Sequence, residues 1–412
     1  MLAWISLAAL MTAVTLSMFT KINVGIVSLA FAWIVGVYLG GLPLNTVIGA
    51  FPISLFLTLV GVTLLFGMAH VNGTLERLAA YGVRLCYGNA GLIPIMFFFV
   101  ALGLSTIGPG NIATAALLAP MAMAIGHQAG VPPFLMIIMV GNGAQAGALS
   151  PFAPTGVIVN GVMARIGLPD VEWQTYLNNM LAHLVITMIA FVVFGGWKLF
   201  TRRSERTDAT PIVASEPFAW QHWLTVAVLA SLVIGVVVFN MQVGMAALTG
   251  ATILSLARAA DEKETIKRMP WNVVLMVCGV TVLIGVLERT QGMDLFTDLL
   301  ARVSSPGTVT GVIAFVTGLV SVYSSTSGVV LPAFLPTVPG LVERLGGGNA
   351  LGIASAMNVG GHLVDLSPLS TIGALCLAAL PPGVDVRTVF NQLLAWGLSM
   401  TVVGGLVCWV MF

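Results

Sequence analysis

Long apolar runs separated by short polar segments follow one another along almost the whole chain. A helical run of about 18–25 residues is long enough to cross the hydrocarbon core of a bilayer, which is roughly 30 Å thick. The first run lacks the basic start and the cleavage site of a signal peptide, so we expect it to be retained as a span. Simple spans are predicted near 1–19, 22–40, 46–70, 176–200, 221–239, 241–258, 271–288 and 386–411.

Two regions between these runs have a more complex pattern. Each follows a less apolar stretch that predicts an amphipathic interfacial helix, and each starts with two apolar arms joined by a polar tip, which predicts a re-entrant hairpin. Each then continues into an apolar segment interrupted by Ser-Pro. Proline removes a helix hydrogen bond and disfavours helix at the preceding residue, so a broken transmembrane helix is expected. The predicted bounds are 73–87 and 291–303 for the interfacial helices, about 91–128 and 307–345 for the hairpins, and about 132–164 and 349–380 for the broken helices.

Short motifs recur at an offset of about half the chain, which indicates an internal duplication. Leu149-Ser150-Pro151 recurs as Leu366-Ser367-Pro368, 217 residues further on. Paired interrupted apolar segments in two halves are the sequence pattern of a secondary-transporter binding site. The predicted division is a first repeat at 1–200, a polar linker at 201–219 and a second repeat at 220–412.

Composition and charge agree with an all-α polytopic membrane protein surrounded by lipid. The chain is 58% hydrophobic and 8% charged, whereas a soluble domain is about 25% charged. The net charge of +1 argues against nucleic acid as a partner. The four cysteines have no spacing typical of a metal site or a disulfide framework. The sequence contains no phosphate-binding loop, zinc-binding helix motif or protease motif, so neither ATP-driven transport nor those chemistries are predicted.

The distribution of basic residues predicts the orientation. With ten full spans and two hairpins that do not cross, 12 of the 16 Lys and Arg residues lie on one side. The positive-inside rule places that side in the cytoplasm. The linker 201–219 is therefore expected in the cytoplasm and both termini outside a cell (inner) membrane. The two halves then have opposite topology, which is an inverted repeat.

The tips of the two predicted hairpins are the first candidate sites. The first tip carries Gly110, Asn111 and Thr114, which offer close backbone approach, amide and hydroxyl oxygens, and a helix N-terminus. Its alternative is an ordinary buried turn. The second tip carries Ser324, Ser325 and Thr326. Its alternative is hydroxyl groups that join membrane helices.

The broken helices supply the remaining candidates. Unwound carbonyls there can coordinate a cation, and half-helix N-termini can face an anion. We expect substrate contacts from Ser150, Pro151, Thr155, Ser367, Pro368 and Thr371, in addition to the tips. We expect cation coupling from Asn111, Asn142, Ser325, Asn358, His362 and Asp365.

Asp365 is the one carboxylate predicted deep in the bilayer, where an ionisable residue is a functional hypothesis by default. Because it would repel an anion, we expect it to hold Na⁺ or a proton. His362 precedes it by three residues, so a local structural His–Asp pair is the alternative. His183 and His127 are expected at the start of a span and in a loop, without a ligand.

Three segments near the N-terminus carry a family resemblance. They are KINVGIVSLAF at 21–31, FPISLFLTLVGVTLLF at 51–66 and VNGTLE at 71–76. They resemble the N-terminal signature of the malonate/dicarboxylate carrier (MatC-type) family over roughly the first 150 residues. The plan of two hairpins and two broken spans resembles the wider divalent anion:sodium symporter family and its ion-transporter relatives.

The resemblance implies residue roles as well as a fold. In the wider family each tip carries Ser-Asn-Thr, which contacts the substrate carboxylate and Na⁺. Here Gly110-Asn111-Ile112 and Ser324-Ser325-Thr326 match that motif in part. A homodimer and an elevator-type movement are likewise implied by the resemblance.

The sequence therefore predicts a secondary active transporter of small organic dianions, malonate or a C4 dicarboxylate, coupled to Na⁺ or H⁺ and without a resident cofactor. One alternative is the membrane subunit of a transporter fed by a binding protein. The other is an intramembrane enzyme that uses Asp365 or His362, for which the sequence offers no second catalytic group.

Overall fold

The computed structural model is all-helical. It describes residues 1–20, 22–78, 89–201, 217–239 and 241–412. Within those ranges the chain forms α-helices with short 3-10 and π-helical segments and no β-strand. Most of the predicted linker 201–219 and of the predicted interfacial helix 73–87 lies outside the described residues.

The helices of the first half follow the predicted order. They are α1 (Leu2–Phe19), α2 (Val24–Trp33, continued by a π-helix at Ile34–Leu39), α3 (Leu44–Ile48), α4 (Ile53–Val71), α5 (Leu92–Ile107), α6 (Gly110–Gln128), α7 (Pro133–Gly147), α8 (Pro154–Arg165) and α9 (Glu172–Val193), followed by a 3-10 turn at Gly196–Thr201.

The second half has the same order of elements. It contains α10 (Trp220–Phe239), α11 (Val243–Leu256), α12 (Glu262–Arg268), α13 (Trp271–Arg289), α14 (Gly292–Arg302), α15 (Val309–Ser321), a π-helix at Thr326–Val330, α16 (Leu331–Phe334), a 3-10 turn at Leu335–Thr337, α17 (Val338–Arg344), α18 (Ala350–Leu363), α19 (Thr371–Ala378) and α20 (Val386–Met411).

Five of the predicted spans are helices long and apolar enough to cross a membrane. They are Leu44–Val71, which joins α3 and α4, together with α9, α10, α13 and α20. The predicted spans near 1–19, 22–40 and 241–258 correspond to shorter apolar helices, Leu2–Leu16, Val24–Leu39 and Val243–Leu256. The predicted interfacial stretch 291–303 is the helix α14. The apolar helices thus define a multi-pass membrane protein.

Each complex region contains a helical hairpin followed by an interrupted helix. In the first, α5 and α6 are joined at Gly108 and Pro109. In the second, α15 and the segment Thr326–Arg344 meet at an angle of 118°. The interruptions lie at 148–153, between α7 and α8, and at 364–370, between α18 and α19. Pro154 opens α8 at its first turn, where a missing N–H costs nothing.

Two glycine crossings hold helices of the two halves backbone to backbone. A Cβ at Gly25 of α2 would lie 2.1 Å from the Leu275 carbonyl oxygen, and one at Gly279 would lie 2.1 Å from that of Gly25. A Cβ at Gly61 of α4 would lie 2.4 Å from the Gly244 carbonyl oxygen. Small residues permit such close approach between membrane helices. Gly244 follows Gly25 by 219 residues, and Gly279 follows Gly61 by 218 residues. The predicted duplication therefore relates the crossing of α2 with α13 to the crossing of α11 with α4.

Candidate functional site: two hairpin tips and the breaks between them

The first hairpin tip is a tight turn packed against its neighbours. Gly108 has φ +149°, and a Cβ there would lie 1.9 Å from the ring of Phe66. Gly110 has φ +80° and faces the ring of Pro154, at the start of α8. Only glycine fits both positions. The close packing presents the first turn of α6, which carries Asn111 and Thr114, to the break in the first interrupted helix.

Asn111 belongs to a hydrogen-bonded chain that joins the two halves of the protein. The Thr155 hydroxyl donates to Asn111 Oδ1 at 3.3 Å, and Asn111 Nδ2 donates to Gln145 Oε1 at 2.8 Å. Gln145 Nε2 then donates to Asp365 Oδ2 at 2.6 Å. Each of these four side chains is at most 7% exposed. The predicted residues Asn111, Thr155 and Asp365 therefore meet at one buried site.

The alternative of a local side-chain pair between His362 and Asp365 is not observed. His362 Nδ1 bonds instead to the carbonyl oxygen of Asn358, one helical turn back, at 2.8 Å. Asp365 lies two residues beyond the end of α18, in the break, and its carboxylate reaches across to Gln145 of α7. The break turns the chain, so a spacing of three residues no longer means a shared helix face. The local-pair alternative is therefore wrong.

The second hairpin tip opens onto a cavity of about 270 Å³. Ser324 and Ser325 of the tip line it together with Thr371, Asn23 and Asn272, and none of the described lining residues is charged. Ser325 Oγ accepts a hydrogen bond from Gly328 N at 3.2 Å and so caps the following π-helix. Ser324 Oγ is buried and has no partner among the described residues. The cavity thus offers hydroxyl and amide groups to a small polar ligand.

Ser370 connects this cavity with Asp365. Its side chain lines the cavity, and its hydroxyl donates to the carbonyl oxygens of Asp365 and, at 2.8 Å, Ser367. Ser370 is also the residue that precedes α19, whose N-terminus begins at Thr371. A helix N-terminus carries partial positive charge and free N–H groups. Asp365 therefore lies between the cavity at the second tip and the hydrogen-bonded chain at the first.

Four further predicted residues are buried in the two breaks, and Thr326 is buried at the start of the π-helix of the second tip; none of them lines the cavity. The Ser150 hydroxyl donates to the Thr106 carbonyl oxygen at 2.7 Å, and Ser367 Oγ accepts from Leu369 N at 3.3 Å. The Thr326 hydroxyl donates to the carbonyl oxygen of Gly361 at 3.3 Å. The prolines that follow the two serines, Pro151 and Pro368, are buried beside them.

Asn142 and Asn358 are fully buried amides on the two interrupted helices. Neither the nitrogen nor the oxygen of the Asn142 side chain has a hydrogen-bond partner within the described ranges. Asn358 Nδ2 faces the sulfur of Met163 at 3.9 Å, and its Oδ1 is likewise unpartnered there. Thr114 Oγ1 completes this set of buried polar atoms without a partner in the described segments. None of these three residues lines the cavity at the second tip.

His183 is placed differently from expectation. It lies in the middle of α9, fully buried, and not at the start of a span. Its Nδ1 bonds to the Asn179 carbonyl oxygen at 2.9 Å, as His362 bonds to Asn358.

The Asn178 side chain donates to Ser355 Oγ at 2.9 Å and so joins α9 to α18. His127 is exposed in the last turn of α6.

Sequence reasoning missed four residues that the fold brings to the site: Gln145, Ser370, Asn23 and Asn272. Gln145 could have been found from the sequence, because it is an amide in an apolar helix and a buried amide requires a hydrogen-bond partner. Asn23 Nδ2 donates to the Asn272 carbonyl oxygen at 2.8 Å, which joins the starts of α2 and α13 beside the cavity. No local pattern identifies that contact, because the two residues are 249 positions apart.

This arrangement of apolar helices, hairpins and interrupted helices is that of a multi-pass membrane protein. Residues 1–148 match the family model described as "Dicarboxylate carrier protein MatC N-terminus", so the resemblance predicted from the segments at 21–31, 51–66 and 71–76 is confirmed. The matched family is one of carriers, which indicates a transporter and not an enzyme.

Two solved structures share the fold. The Alcanivorax borkumensis YdaH transporter, described as having an unusual topology, is 19% identical with a TM-score of 0.54, over 89% of this chain and 87% of that chain. Neisseria gonorrhoeae MtrF, described as illuminating a class of antimetabolite efflux pumps, is 13% identical with a TM-score of 0.60, over 92% of this chain and 84% of that chain. At these identities the likeness extends to the fold alone.

Proposed function

We propose that this protein is a secondary active transporter of small organic dianions, malonate or a C4 dicarboxylate, by cation-coupled symport. The observation that carries the proposal is the position of Asp365, one hydrogen bond from Gln145 of the first half and beside the cavity of the second. A buried carboxylate in a membrane requires a cation or a proton. The family match of residues 1–148 supports a dicarboxylate as the substrate.

The cavity at the second tip is the proposed substrate site. It is uncharged in its described lining, so the dianion is held by hydroxyl and amide donors, by the N-terminus of α19 and by the coupled cation. Ser324, Ser325 and Thr371 make the direct contacts in this proposal. Asn111, Thr155 and Asp365 form the cation-responsive part.

The proposal extends to topology and assembly. The two hairpins are re-entrant, the halves form an inverted repeat, and the linker is cytoplasmic with both termini outside the inner membrane. The basic-residue distribution supports this orientation. A homodimer and an elevator-type movement complete the proposal, and they rest on the resemblance to the wider symporter family.

Uptake into proteoliposomes tests this function. Labelled malonate, succinate and monocarboxylate controls are offered with a Na⁺ gradient and a pH gradient imposed separately. We expect dicarboxylates to accumulate with one of the two gradients and monocarboxylates not to. Uptake that requires an added binding protein would instead favour the permease-subunit alternative.

A further inference from the structure

A second cavity, of about 420 Å³, lies where the start of α7, the end of α9 and the start of α20 meet. Its described lining shares no residue with that of the cavity at the second tip. Because membrane helices begin and end near the edge of the hydrocarbon core, a cavity among three helix ends lies at the level of the lipid headgroups. Its apolar wall comes from α7 and α9, and its polar side chains come from the start of α20.

The polar side chains form a row along one face of α20. Asp385, Thr388 and Gln392 line the cavity at intervals of three and four residues, which is the spacing of one helix face. Trp396 continues this face one turn further into the helix. Its indole nitrogen is buried and has no hydrogen-bond partner among the residues that the structure describes. Because a buried donor requires an acceptor, this N–H group points to a ligand atom that accepts a hydrogen bond.

Two aromatic rings form the apolar wall of the cavity. Phe134 of α7 and Phe194 at the end of α9 line it, with ring centroids 5.0 Å apart. Both rings also pack against the Trp396 ring, at centroid distances of 6.4 and 6.1 Å, so the indole lies directly behind this wall. Phe194 is exposed, as are Val192 and Val193 before it. The wall is therefore continuous with the apolar outer surface of α9, along which an acyl chain can extend into the cavity.

The charges around the cavity fit a zwitterionic headgroup. Asp385 is the one charged side chain in the described lining. Its carboxylate accepts from Arg387 N and from the Thr388 hydroxyl, and a carboxylate has about four acceptor positions, so it can accept from a further donor. On the other wall α7 begins at Pro133, and the first turn of a helix has free N–H groups and partial positive charge. An ammonium group at Asp385 and a phosphate at the start of α7 satisfy both walls.

The spacing along α20 fits the depth of a phospholipid. The helix has 26 residues, whereas about 20 cross the hydrocarbon core, so its first turns lie among the headgroups. At about 1.5 Å per residue, Gln392 lies roughly 10 Å and Trp396 roughly 16 Å further along the helix axis than Asp385. These two N–H donors are therefore at the depth at which phospholipid ester oxygens, which are acceptors, meet the acyl chains.

We propose that this cavity binds a phospholipid with a primary-ammonium headgroup, whose ammonium pairs with Asp385, whose phosphate faces the N-terminus of α7 and whose ester carbonyl accepts from the Trp396 indole. One acyl chain lies on the rings of Phe134 and Phe194. The bound lipid joins the ends of α7, α9 and α20 and so stabilises the body that carries the first interrupted helix. The inference does not depend on the substrate or the coupled cation of the proposed function.

Native mass spectrometry of the delipidated full chain tests the site. Phosphatidylethanolamine, phosphatidylcholine and phosphatidylglycerol with identical acyl chains are offered in equal amounts. The wild-type chain should bind phosphatidylethanolamine severalfold more tightly than the other two, because phosphatidylcholine has a quaternary ammonium without an N–H donor and phosphatidylglycerol has no cation. Asp385→Asn should abolish the preference for phosphatidylethanolamine over phosphatidylcholine. Asparagine caps a helix as well as aspartate does, so α20 should keep its start.

Asp261→Asn is the matched control, because it changes the cap carboxylate of α12, which lies outside the cavity lining. It should keep the wild-type preference. Trp396→Phe, which retains an aromatic ring and removes the N–H group, should weaken binding of both amine lipids severalfold and leave their ratio unchanged.

A second readout shows whether a variant has lost the site or the fold. Added phosphatidylethanolamine should raise the melting temperature of the wild-type chain and of Asp261→Asn, since a ligand that binds the folded state stabilises it. It should raise that of Asp385→Asn no more than phosphatidylcholine does. A wild-type chain without preference among the three lipids overturns the proposal, and so does an Asp385→Asn chain that keeps the full preference.

Discussion

The two hairpin tips occupy matching positions in the two halves but differ in every side chain that carries chemistry. The first tip is closed: Gly108 packs on Phe66, Gly110 on Pro154, and both ends of the Asn111 amide are hydrogen-bonded. The second tip is open, with Ser324 and Ser325 lining a cavity. One tip holds the buried amides that lead to Asp365, and the other presents hydroxyl groups to a ligand.

This difference shows which features the two halves share and which they do not. The backbone plan of hairpin, break and half-helix occurs in both halves, because broken backbone at membrane depth requires the same support by surrounding protein. The side chains differ: the first tip carries the hydrogen-bonded Asn111 amide, and the second carries the Ser324 and Ser325 hydroxyl groups that line the cavity.

The largest expected effect comes from placing a larger residue in the closely packed first tip. Gly108→Ala adds a Cβ that overlaps the Phe66 ring at a backbone conformation that favours glycine. Overpacking costs roughly 1–3 kcal/mol and the backbone roughly 1–2 kcal/mol. We expect a large fall in thermal stability in detergent, and loss of uptake.

Gly103→Ala is the control for that change. Gly103 lies on α5, one turn before the tip, and an added Cβ would meet nothing within 4 Å. Alanine there should be neutral or slightly stabilising. Equal melting temperatures for the two variants would show that the first tip is not closely packed.

A smaller effect is expected from removing the polar side chain of either tip, the Asn111 amide of the first or the Ser325 hydroxyl of the second. Asn111→Ala leaves Gln145 and Thr155 without a shared partner, whereas Ser325→Ala removes one acceptor for a backbone N–H. A buried polar group left without its partner costs roughly 1–3 kcal/mol, and a helix cap contributes typically ~1 kcal/mol. Uptake kinetics should therefore show a ten- to hundredfold loss of apparent affinity in Asn111→Ala and a several-fold loss in Ser325→Ala. Wild-type uptake kinetics in both variants would show that the two tips are not part of the substrate site.

Much of the fold was predictable from the sequence, because span length and proline position act locally. The predicted bounds of the first hairpin and break lie within a few residues of those of α5 to α8, and the bounds of the second lie within a few residues of those of α15 to α19. Contacts across the halves were not predictable. Gln145 and Asp365 are 220 residues apart, and the interruption after α18 turns Asp365 away from His362, which its spacing favoured as partner.

The smallest functional effect is expected from single cysteine substitutions, which test from which side of the membrane the cavity at the second tip is accessible. In a cysteine-free background, Asn272→Cys at the cavity should react with an impermeant thiol reagent from the cytoplasmic side, and malonate should slow the reaction. Thr155→Cys at the closed tip should not react. Ser204→Cys, in the linker outside the described residues, should label from the same side as Asn272→Cys. Labelling of Ser204→Cys from outside intact cells would reverse the orientation.

The most direct test of cation coupling is Asp365→Asn, which keeps the shape of the side chain and removes its charge. In proteoliposomes we predict that this variant still exchanges labelled for unlabelled dicarboxylate but no longer accumulates it when a Na⁺ or pH gradient is imposed. Exchange shows that the site is folded, so the loss is one of coupling. Accumulation at the wild-type level, with unchanged dependence on Na⁺ and pH, would contradict the account.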